Sequence, residues 1–471
     1  MHGFLASSVS VTCAAALALP LALSAPAQAG PSAVTSELAA PGSTQSLPLV
    51  PLTGERALGS AAPEQGLTRR DVRPFSLVGI VWDNPDSELH GRVEVRTRAA
   101  ATGNWSGWQD VETHNHEHAA DPDTAEGDSG RVRGSTAPLW VGDSDGVEVR
   151  VQAEVDERAT TAGDSPLPRG LRLELVAPGA DAASVGAQPD APHTDAQPGL
   201  SRSGAQVRAP RAGALSAAYA GYAAVDTGRL DPTSATEIPE LAPNVIPALS
   251  QQETERELLA ERPGEQRVKP YIGPRPRIIT RKGWGANEKL RERGFVYSKK
   301  VKAAFVHHTA SGNNYSCSQV PSVIRSIYRY HVVSSGWRDI GYNFLVDKCG
   351  NIYEGRAGGV AKAVTGAHTL GFNTDSMGIA VLGSFGKSKP SASAVTAIAK
   401  LTAWKLGLFG VNPRGKTYLK SGGGNLYKKG KNVRLNVISG HRDGFSTECP
   451  GRQLYSKLGT ARKAAAKYQG R

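Results

Sequence analysis

The chain has 471 residues, 4 cysteines and a formal net charge of +12 at pH 7. Its length exceeds that of one average domain, so we expect two domains joined by linkers. Beyond the N-terminal segment no stretch is apolar enough to cross a bilayer, which excludes a membrane span in the mature protein.

Residues 1–29 have the pattern of a secretory signal peptide, in which a run of small apolar residues precedes an A-x-A cleavage site ending at Ala29. The first residues lack Lys and Arg, and the alternative is a membrane anchor. Pro20 and Pro26 argue against an anchor because they interrupt the run. We therefore predict a secreted protein, extracellular or associated with the cell wall.

Charge is divided unevenly along the chain. Residues 271–471 hold 34 Lys and Arg against 8 Asp and Glu, which leaves the rest of the chain at −14. A domain this basic attracts polyanions. For an exported protein we expect anionic cell-wall polymers rather than nucleic acid, and solubility alone is the simpler alternative.

Residues 30–72 are rich in Ala, Pro, Ser and Gly without periodicity, which predicts a disordered lead. The pattern then changes to short segments that are apolar or alternate with a period of two, as strands do. Such segments occur at 75–82, 93–98, 146–151 and 171–175. We interpret residues 73–178 as an all-β, sandwich-like domain.

Two features of this domain allow either a functional or a structural interpretation. Trp105 and Trp108 could stack on sugars, but we favour packing in the core. His114, His116 and His118 recur at every second residue and could bind a metal from one face of a strand. Their acidic flanks, which contain Pro and Gly, instead favour an exposed loop without function.

The next segment, residues 179–272, is rich in Pro and Ala and predicts a linker, with a possible short helix near 253–261. Residues 273–471 mix strand and helix periods, which predicts an α/β domain with a central mixed sheet flanked by helices. We predict strands at 303–309, within 341–355 and at 376–383, helices after Ser318, at 391–408 and at 454–468, and an exposed basic insertion at 412–431.

The clearest chemical signal is the pair His441 and Cys449, eight positions apart in this last domain. Upstream, a predicted strand carries His307 and His308, whose side chains must face opposite ways, so only one of them can face a metal. The spacing leaves open which one. Two imidazoles and one thiolate make three ligands, the number that a catalytic zinc keeps when its fourth position holds water. The pattern predicts a zinc hydrolase.

The cysteines have a second possible use. Export favours disulfide formation, and cleavage of the signal peptide would remove Cys13. If Cys449 binds a metal, Cys317 and Cys349 are left to pair with each other. A pairing that uses Cys449 would abolish the metal site.

An ordered series of motifs covering about 275–465 resembles the peptidoglycan recognition protein family, which includes the bacteriophage lysozyme-type amidases. The motifs are R-I-I-T-R-K-G-W-G-A (277–286), F-V-H-H-T-A (305–310), G-Y-N-F (341–344), I-Y-E-G-R (352–356), G-A-H-T-L-G-F-N (366–373), M-G-I-A-V-L-G (377–383), and G-H-R-D with T-E-C-P-G (440–451). More weakly, residues 73–178 resemble the β domain that precedes the amidase in secreted actinobacterial relatives.

The resemblance implies a zinc ion held by His307, His441 and Cys449, with His308 left as a packing or supporting residue. The enzymes of this family are zinc-dependent N-acetylmuramoyl-L-alanine amidases, and its non-catalytic receptors typically lack the cysteine at the position of Cys449. Because this chain retains Cys449, the resemblance implies an enzyme.

Further roles follow from matching positions. Tyr342 matches the catalytic tyrosine, Thr447 lies where active members carry Thr or Lys, and His368 and Asn373 match positions that line the substrate groove. Glu354 is a candidate general base, although a structural salt bridge is the favoured interpretation.

The implied substrate is peptidoglycan, cut at the amide between the lactyl group of N-acetylmuramic acid and L-alanine of the stem peptide. Two alternatives stay open from the sequence. One is a receptor or adhesin that binds the same muropeptide without turnover, against which the retained Cys449 and Tyr342 argue. The other is a zinc peptidase that cuts within the stem, which the resemblance disfavours.

Overall fold

The structure is a computed structural model that describes residues 42–52, 64–154, 167–179, 243–261 and 270–471. All of these described residues belong to one compact unit. The predicted signal peptide lies outside the described residues, as do 30–41 and 53–63 of the predicted lead and most of the predicted linker, at 180–242 and 262–269. Within the described ranges, none of the helices combines the length and apolar character that a membrane-spanning helix requires.

The N-terminal part is an all-β domain, as predicted, and its strands hydrogen-bond into one eight-stranded antiparallel sheet of order β1-β8-β3-β7-β4-β5, with β2 and β6 paired to β3. The strands are β1 (Ser43–Pro48), β2 (Val50–Pro51), β3 (Glu64–Trp82), β4 (Gly91–Ala99), β5 (Gln109–Val111), β6 (Gly134–Ser135), β7 (Leu139–Ala153) and β8 (Arg172–Ala177). The long strands β3 and β7 pair with several register shifts, which bend strands and increase their twist.

This domain begins earlier than the sequence predicted. Strand β1 and the first part of β3 lie within 30–72, the segment that was predicted to be a disordered lead. Composition failed here because β1 is stabilised by pairing along its whole length with β8, a partner more than a hundred residues away. Leu49 and Leu67 from the same segment are buried in the core of the domain.

The core of the β domain follows the predicted alternation. Val93 and Val95 of β4 pack with every second residue of β7 and β8, while the residues between them face outward or make polar contacts. The two tryptophans differ from the prediction. Trp105 and Trp108 are half-buried and lie outside this core, and the guanidinium of Arg150 lies 4.2 Å from the Trp108 ring centre. Arginine side chains thus cover faces that a sugar would need.

The C-terminal part is an α/β domain built on a seven-stranded mixed sheet of order β17-β11-β14-β12-β13-β10-β9, as predicted. Four neighbouring strands, β17, β11, β14 and β12, are parallel, whereas β12 pairs antiparallel with β13. The sheet strands are β9 (Val245–Ile246), β10 (Ile278–Ile279), β11 (Ala303–His308), β12 (Phe344–Val346), β13 (Ile352–Glu354), β14 (Ser376–Val381) and β17 (Ile438–Gly440). A separate hairpin consists of β15 (Lys416–Lys420) and β16 (Asn432–Asn436).

Five α-helices accompany these strands in the described residues: α1 (Gln251–Ala260), α2 (Val320–Arg329), α3 (Ala392–Gly407), α4 (Arg452–Tyr455) and α5 (Leu458–Tyr468). Helix α1 confirms the short helix predicted within the linker, and Ser391 caps α3 through its hydroxyl, which accepts from the backbone N–H of Ala394. The predicted basic insertion is ordered as the β15–β16 hairpin. Its Leu419 and Val433 pack on Phe305, so one side of the insertion is buried.

Cys317 and Cys349 form the predicted disulfide. The bridge ties the 3₁₀ turn Cys317–Gln319, just before α2, to the turn between β12 and β13. By the loop-closure argument a bridge of this span stabilises a domain by about 3–4 kcal/mol.

The two domains share a buried apolar cluster. Leu77 and Val81 of β3 pack with Ile324 and Ile327 of α2. The hydroxyl of Tyr330, in the π-helical turn after α2, lies 3.1 Å from two carbonyl oxygens of the β domain. Where its ring crosses Gly79 there is no room for a Cβ, since an added one would lie 2.3 Å from the tyrosine. The domains therefore contact each other through a packed interface.

Candidate metal centre

The parallel pairing of β11 with β17 positions the first two candidate ligands. Val306 pairs with Gly440, so His307 at the end of β11 lies beside His441, the first residue after β17. The centres of the two imidazole rings are 4.5 Å apart. Both side chains are fully buried.

Strand alternation decides between the two adjacent histidines. Val306 belongs to the core shared with α3 and α5, on one face of the sheet, and His308 shares that face, where its Nδ1 accepts a hydrogen bond from the backbone N–H of Phe385 at 3.4 Å. His307 faces the other way, toward Tyr342 and His441. The structure thus brings His307, and not His308, to the candidate metal centre.

Cys449 completes the trio from the loop that follows. Its Sγ lies 3.8 Å from His307 Nδ1, and it accepts a hydrogen bond from the backbone N–H of His308 at 3.5 Å. The backbone N–H of Cys449 is held by the hydroxyl of Thr447 at 3.1 Å. The only cysteine outside the disulfide among the described residues is therefore buried against two imidazoles.

A fourth member comes from the three alternating histidines for which the sequence favoured a loop without function. His118, from the loop between β5 and β6, lies with its Nε2 3.6 Å from Cys449 Sγ and its ring centre 4.5 Å from that of His441. The candidate ligand atoms of His118, His307, His441 and Cys449 all lie within 4.8 Å of one another. The predicted exposure of the loop at His114, His116 and His118 is therefore wrong for His118, which is buried.

The alternating histidines were the only local signal at His118, and they do not single it out, because its position depends on contacts between the two domains. The one further hint is charge. The β5–β6 loop, residues 112–133, carries six Asp and Glu, whereas the domain that it contacts is strongly basic. Opposite charge on two parts of one chain is a reason to expect them to meet.

The donor set fits a zinc ion. Imidazole nitrogens and thiolates are the ligands zinc prefers, and at its usual bond lengths the edge of a tetrahedral site measures about 3.5 Å. The observed separations of 3.6 and 3.8 Å are close to this edge. Neither ring nitrogen of His441 makes a hydrogen bond of ordinary geometry to the described residues. Buried polar atoms without partners are costly, and a bound cation would satisfy them.

Burial sets the protonation of these groups. It lowers the pKa of His307, His441 and His118 well below the ordinary value, and neighbouring histidines add to the effect, so the imidazoles are neutral and able to donate an electron pair. Burial likewise raises the pKa of the Cys449 thiol, which a bound metal would oppose.

A layer of polar groups supports His307. Its Nε2 lies 3.4 Å from the hydroxyl of Thr369, which in turn lies 3.0 Å from Nδ1 of His368. A contact of this kind fixes the orientation of a ligating imidazole. His368 is fully buried, and its backbone N–H donates to the side chain of Asn373 at 2.7 Å. Of the residues predicted to line the groove, His368 supports the centre from behind.

Tyr342 and Thr447 flank the cluster from two sides. The Tyr342 ring centre lies 5.5 Å from that of His307, and burial raises the pKa of its phenol well above the ordinary value, which keeps the hydroxyl protonated. The Thr447 hydroxyl donates to the carboxylate of Glu117 at 2.6 Å. Both predicted catalytic side chains therefore lie beside the candidate ligands.

Glu354 lies elsewhere, on β13. Its carboxylate accepts from the backbone N–H of Arg281 at 3.1 Å, and burial raises its pKa to about 6 although Arg281 opposes this. It does not belong to the cluster of candidate ligands. These contacts agree with the structural interpretation of Glu354 rather than with a general base.

Two family models match the chain. One, described as the Rv3811 N-terminal galactose-binding domain-like family, matches residues 30–170, and the other, N-acetylmuramoyl-L-alanine amidase, matches residues 297–452. The first spans strands β1 to β7 of the all-β domain, and the second spans strands β11 to β17 together with His307, His441 and Cys449.

Known proteins are similar to part of the chain. The peptidoglycan-recognition protein SC2 of Drosophila melanogaster is 30% identical over 185 residues, which are 39% of this chain and 85% of that protein. Peptidoglycan-recognition protein 1 of Holotrichia diomphalia is 32% identical over 39% of this chain and 79% of its own length. Among solved structures, wild-type Drosophila PGRP-LB aligns with 26% identity and a TM-score of 0.31, covering 39% of this chain and 92% of that one. The chain belongs to the peptidoglycan recognition protein family.

Proposed function

We propose that the chain is an exported zinc-dependent N-acetylmuramoyl-L-alanine amidase, which cuts the lactyl–L-alanine amide of peptidoglycan. The observation that carries this proposal is the convergence of His307, His441 and Cys449, all buried and within ligand distance of one another, in a domain that matches the amidase family model. The family resemblance implies that members without activity lack this cysteine, and this chain keeps it.

The reaction needs help because an amide is stable in water near neutral pH. A bound zinc ion would polarise the amide carbonyl and activate water. The chain's own residues then stabilise the charge that develops on the carbonyl oxygen. The phenol of Tyr342 and the hydroxyl of Thr447 are the donors placed beside the ligands, and donors of this kind each contribute about 2–4 kcal/mol to lowering the barrier.

The proposed partners follow from the same surfaces. The muropeptide stem would lie against Asn373, and anionic wall polymers would meet the basic C-terminal domain, whose β15–β16 hairpin exposes several lysines. This is the setting in which a secreted wall hydrolase would act.

The test is product analysis. The full-length, zinc-loaded chain and its His118→Ala variant are incubated with purified insoluble peptidoglycan, and the soluble products are identified by mass spectrometry. We expect peptides that begin with a free L-alanine amine and no new reducing sugar ends. New reducing ends would indicate a glycosidase, cuts inside the stem would indicate a peptidase, and stoichiometric binding by both proteins without product would indicate a receptor.

A further inference from the structure

The β5–β6 loop reaches across the domain interface and lies on the candidate metal centre. Its backbone continues this contact, since the carbonyl oxygen of Glu117 accepts from the backbone N–H of Leu370 at 2.9 Å and the side-chain amide of Asn373 donates to the carbonyl oxygen of Ala119 at 2.8 Å. Backbone hydrogen bonds of this kind hold peptide segments in the grooves of other proteins.

Acidic side chains of the loop form hydrogen bonds with groups that the proposed reaction would need. The carboxylate of Glu117 accepts a hydrogen bond from the hydroxyl of Thr447 at 2.6 Å. Asp121 accepts from the side-chain amide of Asn373 at 2.7 Å and from the backbone N–H of Gly371 at 2.8 Å. While the loop is in place, two of the four predicted catalytic and groove residues are therefore engaged by the protein itself.

A buried ion pair anchors the far end of the loop. Both carboxylate oxygens of Glu126 lie 2.8 Å from guanidinium nitrogens of Arg356, and both side chains are almost fully buried. The backbone N–H of Arg338 donates to the same carboxylate at 3.2 Å. Arg131 adds an ion pair with Glu292 near the loop's end. The loop is thus fixed by contacts on both sides of His118.

His118 itself lies where a fourth ligand would lie. Its side chain is buried, and among the described residues its ring nitrogens make a single polar contact, Nε2 to Cys449 Sγ at 3.6 Å. If the imidazole were buried for packing alone, its Nε2 would have only a poor hydrogen-bond partner, which costs folding free energy. A histidine aimed at a cysteine thiol and two other imidazoles has the surroundings of a metal ligand.

We propose that His118 is the fourth protein ligand of the metal centre and that the β5–β6 loop keeps the chain latent by filling the groove. The proposal rests on the proposed function for its consequence, not for its geometry. Three protein ligands leave a position for water, whereas four make the closed coordination of structural zinc sites. The metal centre would then be assembled from both domains, and turnover would require His118 to leave.

The test uses the full-length chain loaded with Co²⁺, whose visible spectrum reports its ligands, together with a small anion, azide, that binds only at an open position. We expect azide to leave the spectrum of the unmodified chain unchanged and to shift that of His118→Ala. The matched control is His114→Ala, four residues away in the same loop but exposed, which should behave as the unmodified chain. Peptide release from peptidoglycan should rise at least tenfold in His118→Ala and stay unchanged in His114→Ala.

A second variant guards against misfolding. Asp121→Ala keeps His118 but removes the loop's contacts with Gly371 and Asn373, and should move both readouts in the same direction by a smaller factor. Identical spectra and azide responses for the unmodified chain and His118→Ala would overturn the proposal. If His118→Ala gains azide binding but releases no peptide, His118 is a ligand and the amidase proposal fails. If the unmodified chain already binds azide and releases peptide at the variant's rate, the amidase proposal stands and latency fails.

Discussion

The candidate metal centre joins two regions built in different ways. His307 and His441 stand at the ends of adjacent parallel strands, where backbone pairing fixes them. His118 stands on a loop of a different domain, held by carboxylates and backbone hydrogen bonds. The first region places its side chains through a buried sheet, and the second through contacts that water or a competing ligand can replace. The difference suggests a permanent part and a removable part of one site.

The largest effect should come from the permanent part. His307→Ala should lose the metal and, measured in the His118→Ala background, reduce peptide release on the order of 10³-fold or more, since a metal supplies several kcal/mol of transition-state stabilisation. The matched control is His308→Ala, an equally buried neighbour on the opposite face of β11. Zinc content and release rate are measured together. A zinc-free, active His307→Ala protein would contradict the ligand assignment.

The removable part should respond to loss of its anchor. Glu126→Ala leaves the buried guanidinium of Arg356 without its partner, and breaking such a pair costs about 3–5 kcal/mol. We expect faster hydrogen exchange of the loop amides, whereas Asp128→Ala, an exposed acid in the same loop, should leave exchange unchanged.

The same anchor predicts a dependence on pH. Burial alone would raise the pKa of Glu126, but Arg356, with Arg338 beside it, outweighs burial and lowers the pKa below the ordinary value. Its contribution to loop docking is therefore present above the carboxyl's ordinary pKa of 4.5 and is lost as the pH falls through the lower, docked value. The rate of loop amide exchange in the unmodified chain, divided by that of Glu126→Ala at the same pH, should rise on acidification. A ratio that stays constant would count against this anchor.

A hydroxyl beside the ligands should matter for chemistry and not for metal binding. Tyr342→Phe removes one proposed donor to the carbonyl oxygen, and we expect the turnover rate to fall by about 10²–10³ with the zinc content unchanged. Steady-state kinetics on a soluble muropeptide in the His118→Ala background measure this effect. A change confined to KM would mean that Tyr342 only binds the substrate.

The smallest effect belongs to the interface beneath the loop. Tyr330→Phe removes a buried hydroxyl and leaves the carbonyl oxygens of Ile80 and Thr136 without that donor, which costs about 1–3 kcal/mol. Denaturant unfolding should show a lower free energy of unfolding, and azide should still leave the Co²⁺ spectrum unchanged. A stability equal to that of the unmodified chain would show that the interface does not depend on this hydroxyl.

The sequence allowed prediction of the permanent part and not of the removable one. Residue types and spacing selected His441 and Cys449, and strand alternation reduced the third ligand to His307 or His308, because these signals are local. His118 was not selected because its flanks look like a solvated loop, whereas contacts with residues far along the chain, such as His307 and Cys449, bury it. Strand β1 was not predicted for the same reason, since its partner β8 lies more than a hundred residues away.

X-ray absorption at the zinc edge on the full-length, unmodified chain tests the two-part metal centre most directly. If His118 is the fourth ligand, zinc is surrounded by one sulfur and three imidazole nitrogens. In His118→Ala this becomes one sulfur, two imidazole nitrogens and one oxygen. One sulfur, two imidazoles and an oxygen already present in the unmodified chain would contradict this assignment of His118.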